Sequence, residues 1–129
     1  MAEEIRVLLV EPMRKPRLVT IEKSLEKEQE LVGGLIQCLY PWSDSAVLVC
    51  DDESKLKGCP PNRMLEDYDI ICGPFFIAGL SEDDFADISD EMAEKYTAKF
   101  RYPEMFARTT RGSLLCFRLG SGQPPLEIG

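Results

Sequence analysis

Leu31-Val-Gly-Gly-Leu-Ile-Gln-Cys-Leu-Tyr-Pro-Trp42 is the stretch on which the fold turns. Leading into it, Leu25, Gln29, Val32 and Ile36 recur at helical spacing. Ser24 offers an N-cap, and Glu26 and Glu28 stand in the first turn, where the helix dipole favours acids. Gly33-Gly34 then end the helix, because glycine enters the left-handed conformation of a C-cap without a Cβ penalty. The apolar run 35–39 reads as a strand. A helix that passes into a strand through two glycines marks an α+β chain. It carries no chemistry of its own, since a phosphate-binding loop follows a strand and opens a helix, which is the reverse order.

Working outward, Ile5-Arg-Val-Leu-Leu-Val10 reads as a buried first strand ending at Glu11-Pro12. Met13-Arg-Lys-Pro16 supplies a turn, and Arg17-Leu-Val-Thr-Ile-Glu22 a second strand, so the two form a hairpin. The runs 35–39 and 46–50 form a second hairpin across Tyr-Pro-Trp-Ser-Asp-Ser, with Pro41 at a strand end. Residues 51–67 are polar and turn-rich and read as one long loop, a length usually tied to function or mobility. Residues 69–79 return to buried strand, with Gly73-Pro74 suggesting a bulge or an edge. Phe75 and Phe76 point to opposite faces there, so at least one is core. Ser81 caps a helical stretch in which Phe85, Ile88, Met92, Tyr96 and Phe100 make an amphipathic stripe. It reads as one helix or as two restarting at Ser89, and it breaks at Tyr102-Pro103. Residues 113–119 predict a last strand, and 120–129 a flexible tail. The expected architecture is a single α+β domain over 1–119. Its core is a largely antiparallel sheet of five to six strands with two helices packed on one face.

Composition narrows the function classes. With 129 residues and a net charge of −8, the chain carries 23 acids against 15 bases, which opposes a role that depends on gripping nucleic-acid phosphates. No apolar run approaches the ~20 residues that span a bilayer, and no secretory signal is visible, so a cytoplasmic protein without membrane contact is expected. The chain has no histidine, which excludes His-built zinc sites and Ser-His-Asp or Cys-His catalysis. Its five cysteines include no Cys-x-x-Cys pair. Cys38, Cys50, Cys72 and Cys116 lie in apolar runs as small hydrophobes, and only Cys59 lies in a loop. No catalytic residue, metal site or cofactor is expected.

Two places hold candidate binding residues. In the 51–67 loop, Arg63 offers a fork for an anionic group, Asn62 an adjustable amide, and Asp51 or Asp52 a carboxylate at the loop's entry. The structural alternative ties Arg63 to Asp67 or Asp69 as an exposed ion pair. The second place is 81–94, which holds seven acids and no base, followed by six bases against Glu104 alone in 95–118. Asp83, Asp87 and Glu94 are its candidates for an acidic partner face, against the plain alternative of a solvated helix.

Val10-Glu11-Pro12, Gln29-Glu-Leu-Val-Gly-Gly34 with Tyr40-Pro41, Leu48-Val-Cys50, Pro61-Asn62-Arg63, Asp69-Ile70-Ile71 with Gly73 and Phe75-Phe76, Asp84-Phe85 and Tyr102-Pro103-Glu104 fall in an order that resembles a known family. That family is catalogued as domain of unknown function 3846, and the resemblance covers about residues 5–106. The chain departs from its pattern at Asp51-Asp52-Glu53-Ser54, where the family has Asn-Glu-Glu-Gly, and 107–129 is an addition. The resemblance implies a setting in phages, plasmids and conjugative elements of gut Firmicutes, and no catalytic residues. The expected function is a non-enzymatic accessory protein that engages a protein partner through an acidic surface. The alternative is a domain that sequesters a small ligand or nucleotide with the 51–67 loop, and an enzyme is least favoured. No feature of the sequence sets an oligomeric state or names the partner.

Overall fold

The computed structural model describes residues 3–82 and 84–128. Strands β1 (Glu4–Val10) and β2 (Arg17–Glu22) form the expected hairpin, antiparallel and unbroken from Glu4 opposite Glu22 to Leu9 opposite Arg17. Helix α1 (Leu25–Val32) begins where the Ser24 Oγ accepts the Lys27 N–H at 3.2 Å, and ends at Gly33, whose φ is 91°. Then come β3 (Ile36–Leu39), β4 (Ala46–Asp51), β5 (Pro61–Leu65), β6 (Asp69–Cys72), β7 (Phe75–Ser81) and β8 (Asp84–Ala86). Helix α2 (Asp90–Lys99) and strands β9 (Glu104–Arg108), β10 (Leu114–Arg118) and β11 (Leu126–Ile128) complete the chain.

Every strand pair among the described residues is antiparallel. The main sheet has six strands in the order β2-β1-β7-β4-β3, with β8 on the far end of β7. Two smaller sheets, β5-β6 and β9-β10-β11, flank it. Strands β1, β4 and β7 are nearly continuous apolar runs because both of their faces are covered. On one face Leu8, Val10, Leu48, Phe75 and Ile77 pack with Ala93, Tyr96 and Phe100 of α2. On the other, Ile5, Val7, Val47, Val49 and Phe76 pack with Val32 of α1. Phe75 and Phe76 are thus both core.

Three expectations need correction. The two helices do not share a face. Helix α1 connects β2 to β3, the two opposite edges of the sheet, and crosses one face; α2 lies on the other. Residues 81, 82 and 84–88 are not helical. Glu82 turns the chain at φ 51°, and β8 folds back along β7, so that Phe85 meets Phe76 edge-on at 6.2 Å on the α1 face. The helix starts only at Ser89, whose Oγ accepts the Met92 N–H at 3.1 Å. Residues 51–67 are not one loop. A turn over 52–58 leads into the β5-β6 hairpin, which has a register shift at Asn62.

At the C-terminal end, residues 126–128 of the expected flexible tail pair with β10. Trp42 packs against Tyr96 with ring centroids 4.3 Å apart and donates Nε1–H to Glu66 at 2.6 Å, whereas Tyr40 is exposed. No helix among the described residues is long and apolar enough to cross a membrane.

Candidate functional site

Asn62 and Arg63, expected on a recognition loop, are fully buried. Asn62 sits at the register shift of β5, which turns its amide inward to donate to the carbonyls of Val10 and Gly73, both at 2.9 Å. The Arg63 guanidinium spreads over three segments. Its Nε donates to the Phe100 carbonyl at 3.2 Å, Nη1 to Asn62 Oδ1 at 2.8 Å, and Nη2 to the Arg14 carbonyl at 2.6 Å. Burial presses its pKa below the ordinary guanidinium value, an effect opposed by nearby Glu104. A fork whose donors are taken up by backbone carbonyls has little left for a ligand. Nor does Arg63 pair with Asp67 or Asp69; Lys55 meets Asp69 instead, at 2.6 Å. The two residues form a staple that joins the ends of β1, β6 and α2.

Asp51 is buried as well. One carboxylate oxygen accepts the Glu53 N–H at 2.9 Å and the other meets Lys57, both beneath Gly34. Burial pushes its pKa up, but Lys57 and the Glu53 N–H outweigh it and hold the carboxyl below its usual range. Asp52 is exposed beside it. The space they line, with Cys50, Ser54 and Cys72, is about 160 Å³. Clefts that enclose small ligands start at about 300 Å³, and this space is smaller.

Four buried or half-buried thiols are held in the thiol form. Burial raises Cys50 to about 11 and Cys116 to about 12, and it raises Cys38 and Cys72 as well. The thiolate is the reactive form, so these four are held away from nucleophilic chemistry. Among the described residues no group of three or more Asp, Glu or Cys side chains has the geometry to hold a metal ion.

The acidic face divides. Asp87 joins Glu3, Glu4, Glu82 and Asp84 around an open depression of about 460 Å³, whose single cation among the described residues is Lys23. Lys23 meets Asp84 at 2.8 Å and Glu3 at 3.7 Å, and Asp87 accepts the Arg6 N–H at 2.8 Å. Glu94 lies elsewhere, on α2 beside Leu18 and Arg101. Asp83 lies outside the described residues. Acids from two segments far apart in sequence, 3–4 and 82–87, meet here, which the count over 81–94 alone does not reveal. One more carboxyl was missed. Glu28, in the first turn of α1, is only 6% exposed and forms no ion pair or side-chain hydrogen bond among the described residues. Desolvation raises its pKa, with Asp84 adding to the effect and Lys23 opposing it.

A family model for a domain of unknown function, DUF3846, matches residues 5–101. The chain belongs to the DUF3846 family. The match runs from β1 to the residue after Phe100, so the DUF3846 domain comprises the main sheet, the β5-β6 hairpin and both helices. The sheet β9-β10-β11 lies beyond the matched segment. Comparison with curated proteins and with solved structures returns no match.

Proposed function

We propose that this DUF3846 protein is a non-enzymatic accessory binding protein that holds a basic segment of a protein partner at its acidic depression. One observation carries the proposal: five carboxylates from the N-terminus and the β7-β8 hairpin surround one open depression with a single lysine among them. Such a surface steers a cationic partner and speeds its association. The resemblance noted above adds a mobile genetic element as the setting. Five free cysteines suit the reducing cytoplasm as the place of action.

The test has two arms. Native mass spectrometry of the protein purified from its own host cell reads its companions, and a stoichiometric protein is expected. Association with that protein is then measured against salt for the wild type and a Glu82→Gln/Asp87→Asn variant. A steep fall with salt and a slower on-rate for the variant are expected, because exposed charges are screened within a Debye length of about 10 Å at 0.1 M. A co-purified small molecule in place of a protein, or binding indifferent to salt and to the variant, overturns the proposal.

A further inference from the structure

We propose that two copies of this chain pair through their β2 strands, edge to edge and antiparallel, into one continuous sheet. Strand β2 ends the main sheet and, among the described residues, has a neighbour on one side only. Natural edges are blunted by prolines, bulges or brevity. From Arg17 to Glu22 there is no proline, and the register with β1 is unbroken over six pairs. The opposite edge, β3, is four residues long and runs into Pro41. The free side of β2 is therefore an open template of backbone donors and acceptors.

An apolar groove runs beside that edge. Leu18 stands directly opposite Leu8, which belongs to the core under α2, so Leu18 lies on the α2 face; there it remains 46% exposed. Helix α2 does not cover β2, and the space between them is a groove of about 480 Å³ with Leu18 and Thr97 in its walls.

Charge in the groove is sorted by end. The first turn of α2 lies by Arg6, which donates to the Ile88 carbonyl at 2.7 Å and to Asp90 at 2.8 Å. Its last turn lies by the β1-β2 turn, where Arg63 ties Phe100 to Arg14. Helix α2 thus runs opposite to β2, with Lys15 and Arg101 at the start of β2 and Glu94 toward its end. At that end Glu22 faces Glu4 across the ladder, an unfavourable like-charge pair, and neither forms an ion pair among the described residues.

This order selects the occupant. An antiparallel strand brings its own start to the end of β2, so it must read base, then apolar, then acid. Along the groove side the lead-in and body of β2 read that way themselves: Lys15, then Leu18, then Glu22. A second copy sets its Lys15 against Glu22 and Glu94 of the first, and the two-fold repeats the contact. A register centred on Val19 keeps Leu18 of both copies on the α2 face, brings Lys15 beside Glu22 of the other copy and joins the two grooves.

Sedimentation equilibrium of the full chain tests this, with single Lys15→Glu and Glu22→Lys variants and the double variant. The wild type is expected at twice 14.6 kDa. Each single variant is expected to raise Kd about tenfold or more, because it counts twice across the two-fold and sets like charges together. The double variant restores the pairing, and circular dichroism confirms that every variant is folded. A monomeric wild type overturns the proposal, as does a dimer indifferent to the single variants or one that the double variant fails to restore.

Discussion

Arg63 caps Phe100: the guanidinium Nε of a fully buried arginine lies 3.2 Å from the carbonyl oxygen that ends α2. A helix leaves its last carbonyls without partners, and the usual remedy is a glycine turn or water. Here the remedy comes from a strand 37 residues earlier, which also holds the Arg14 carbonyl at 2.6 Å.

Arg63→Ala therefore leaves two carbonyls unpaired. It is expected to lower stability by about 3 kcal/mol or more in urea unfolding. Arg63→Lys recovers part of this at most, since an ammonium lacks the planar fork. An unchanged unfolding midpoint for Arg63→Ala would contradict the staple.

Gly79 is forced by a close approach. A Cβ there would come within 2.5 Å of the Asp87 carbonyl oxygen, which is backbone, so the segment that carries it must shift. Gly79→Ala is expected to pry residues 86–88 off β7, at a cost of about 1–3 kcal/mol. The Ile88 amide, bonded to the Arg6 carbonyl at 2.9 Å, should lose its protection from hydrogen exchange. Gly33→Ala is a fitting control. Its cost of about 1–2 kcal/mol comes from left-handed backbone strain, with no neighbour within 4 Å, and the Ile88 amide should stay protected.

Glu28 sets one pH dependence. Its pKa is raised in the fold, so in the window just above the ordinary glutamate value the native state binds more proton than the unfolded one. Stability contributed by the neutral carboxyl is present at acid pH and lost as pH rises through the raised value. Glu28→Gln should accordingly melt higher than the wild type near neutral pH, and the difference should vanish in acid. A variant that melts lower at neutral pH would show that the carboxylate has a native partner.

Asp51 sets the opposite one. Burial opposes its ionisation, but Lys57 and the Glu53 N–H prevail and lower its pKa. Its contribution is present above the ordinary aspartate value and lost as pH falls through the lowered one. Lys57→Ala should weaken the protein at neutral pH and flatten the acid limb of its stability curve, while leaving the variant and wild type alike in strong acid. Parallel curves across the whole range would sink the assignment.

What was legible in the sequence was local. Ser24, Gly33 and the turn at 13–16 act on their own neighbours, so the β1-β2 hairpin and α1 follow from chemistry within one turn. Residues 81–88 misled because Phe85 and Ile88 stand three apart and match a helical stripe. Phe85 is in fact drawn to Phe76 on one face while Ile88 joins Phe75 on the other. Asn62 and Arg63 misled for a different reason. Their neighbours Pro60-Pro61 and Glu66-Asp67 read as surface, and the acceptors that pull them inside are Val10, Arg14, Gly73 and Phe100. The split of the helices between faces was visible in the unalternating runs 7–10, 46–50 and 75–78, which are the pattern of strands covered on both sides.

The strand order has a consequence for how the protein is made. Strand β1 finds β2 within a few residues, but its other neighbour, β7, begins at residue 75. While the chain leaves the ribosome, the first hairpin waits with Val7, Leu8, Leu9 and Val10 still uncovered, and the sheet closes only after more than half the polypeptide has been synthesised. Partners so distant along the chain slow folding and prolong the exposure of apolar surface. Chains that stop short of β7 are thus left with an unpaired, sticky edge, and quality control must clear them.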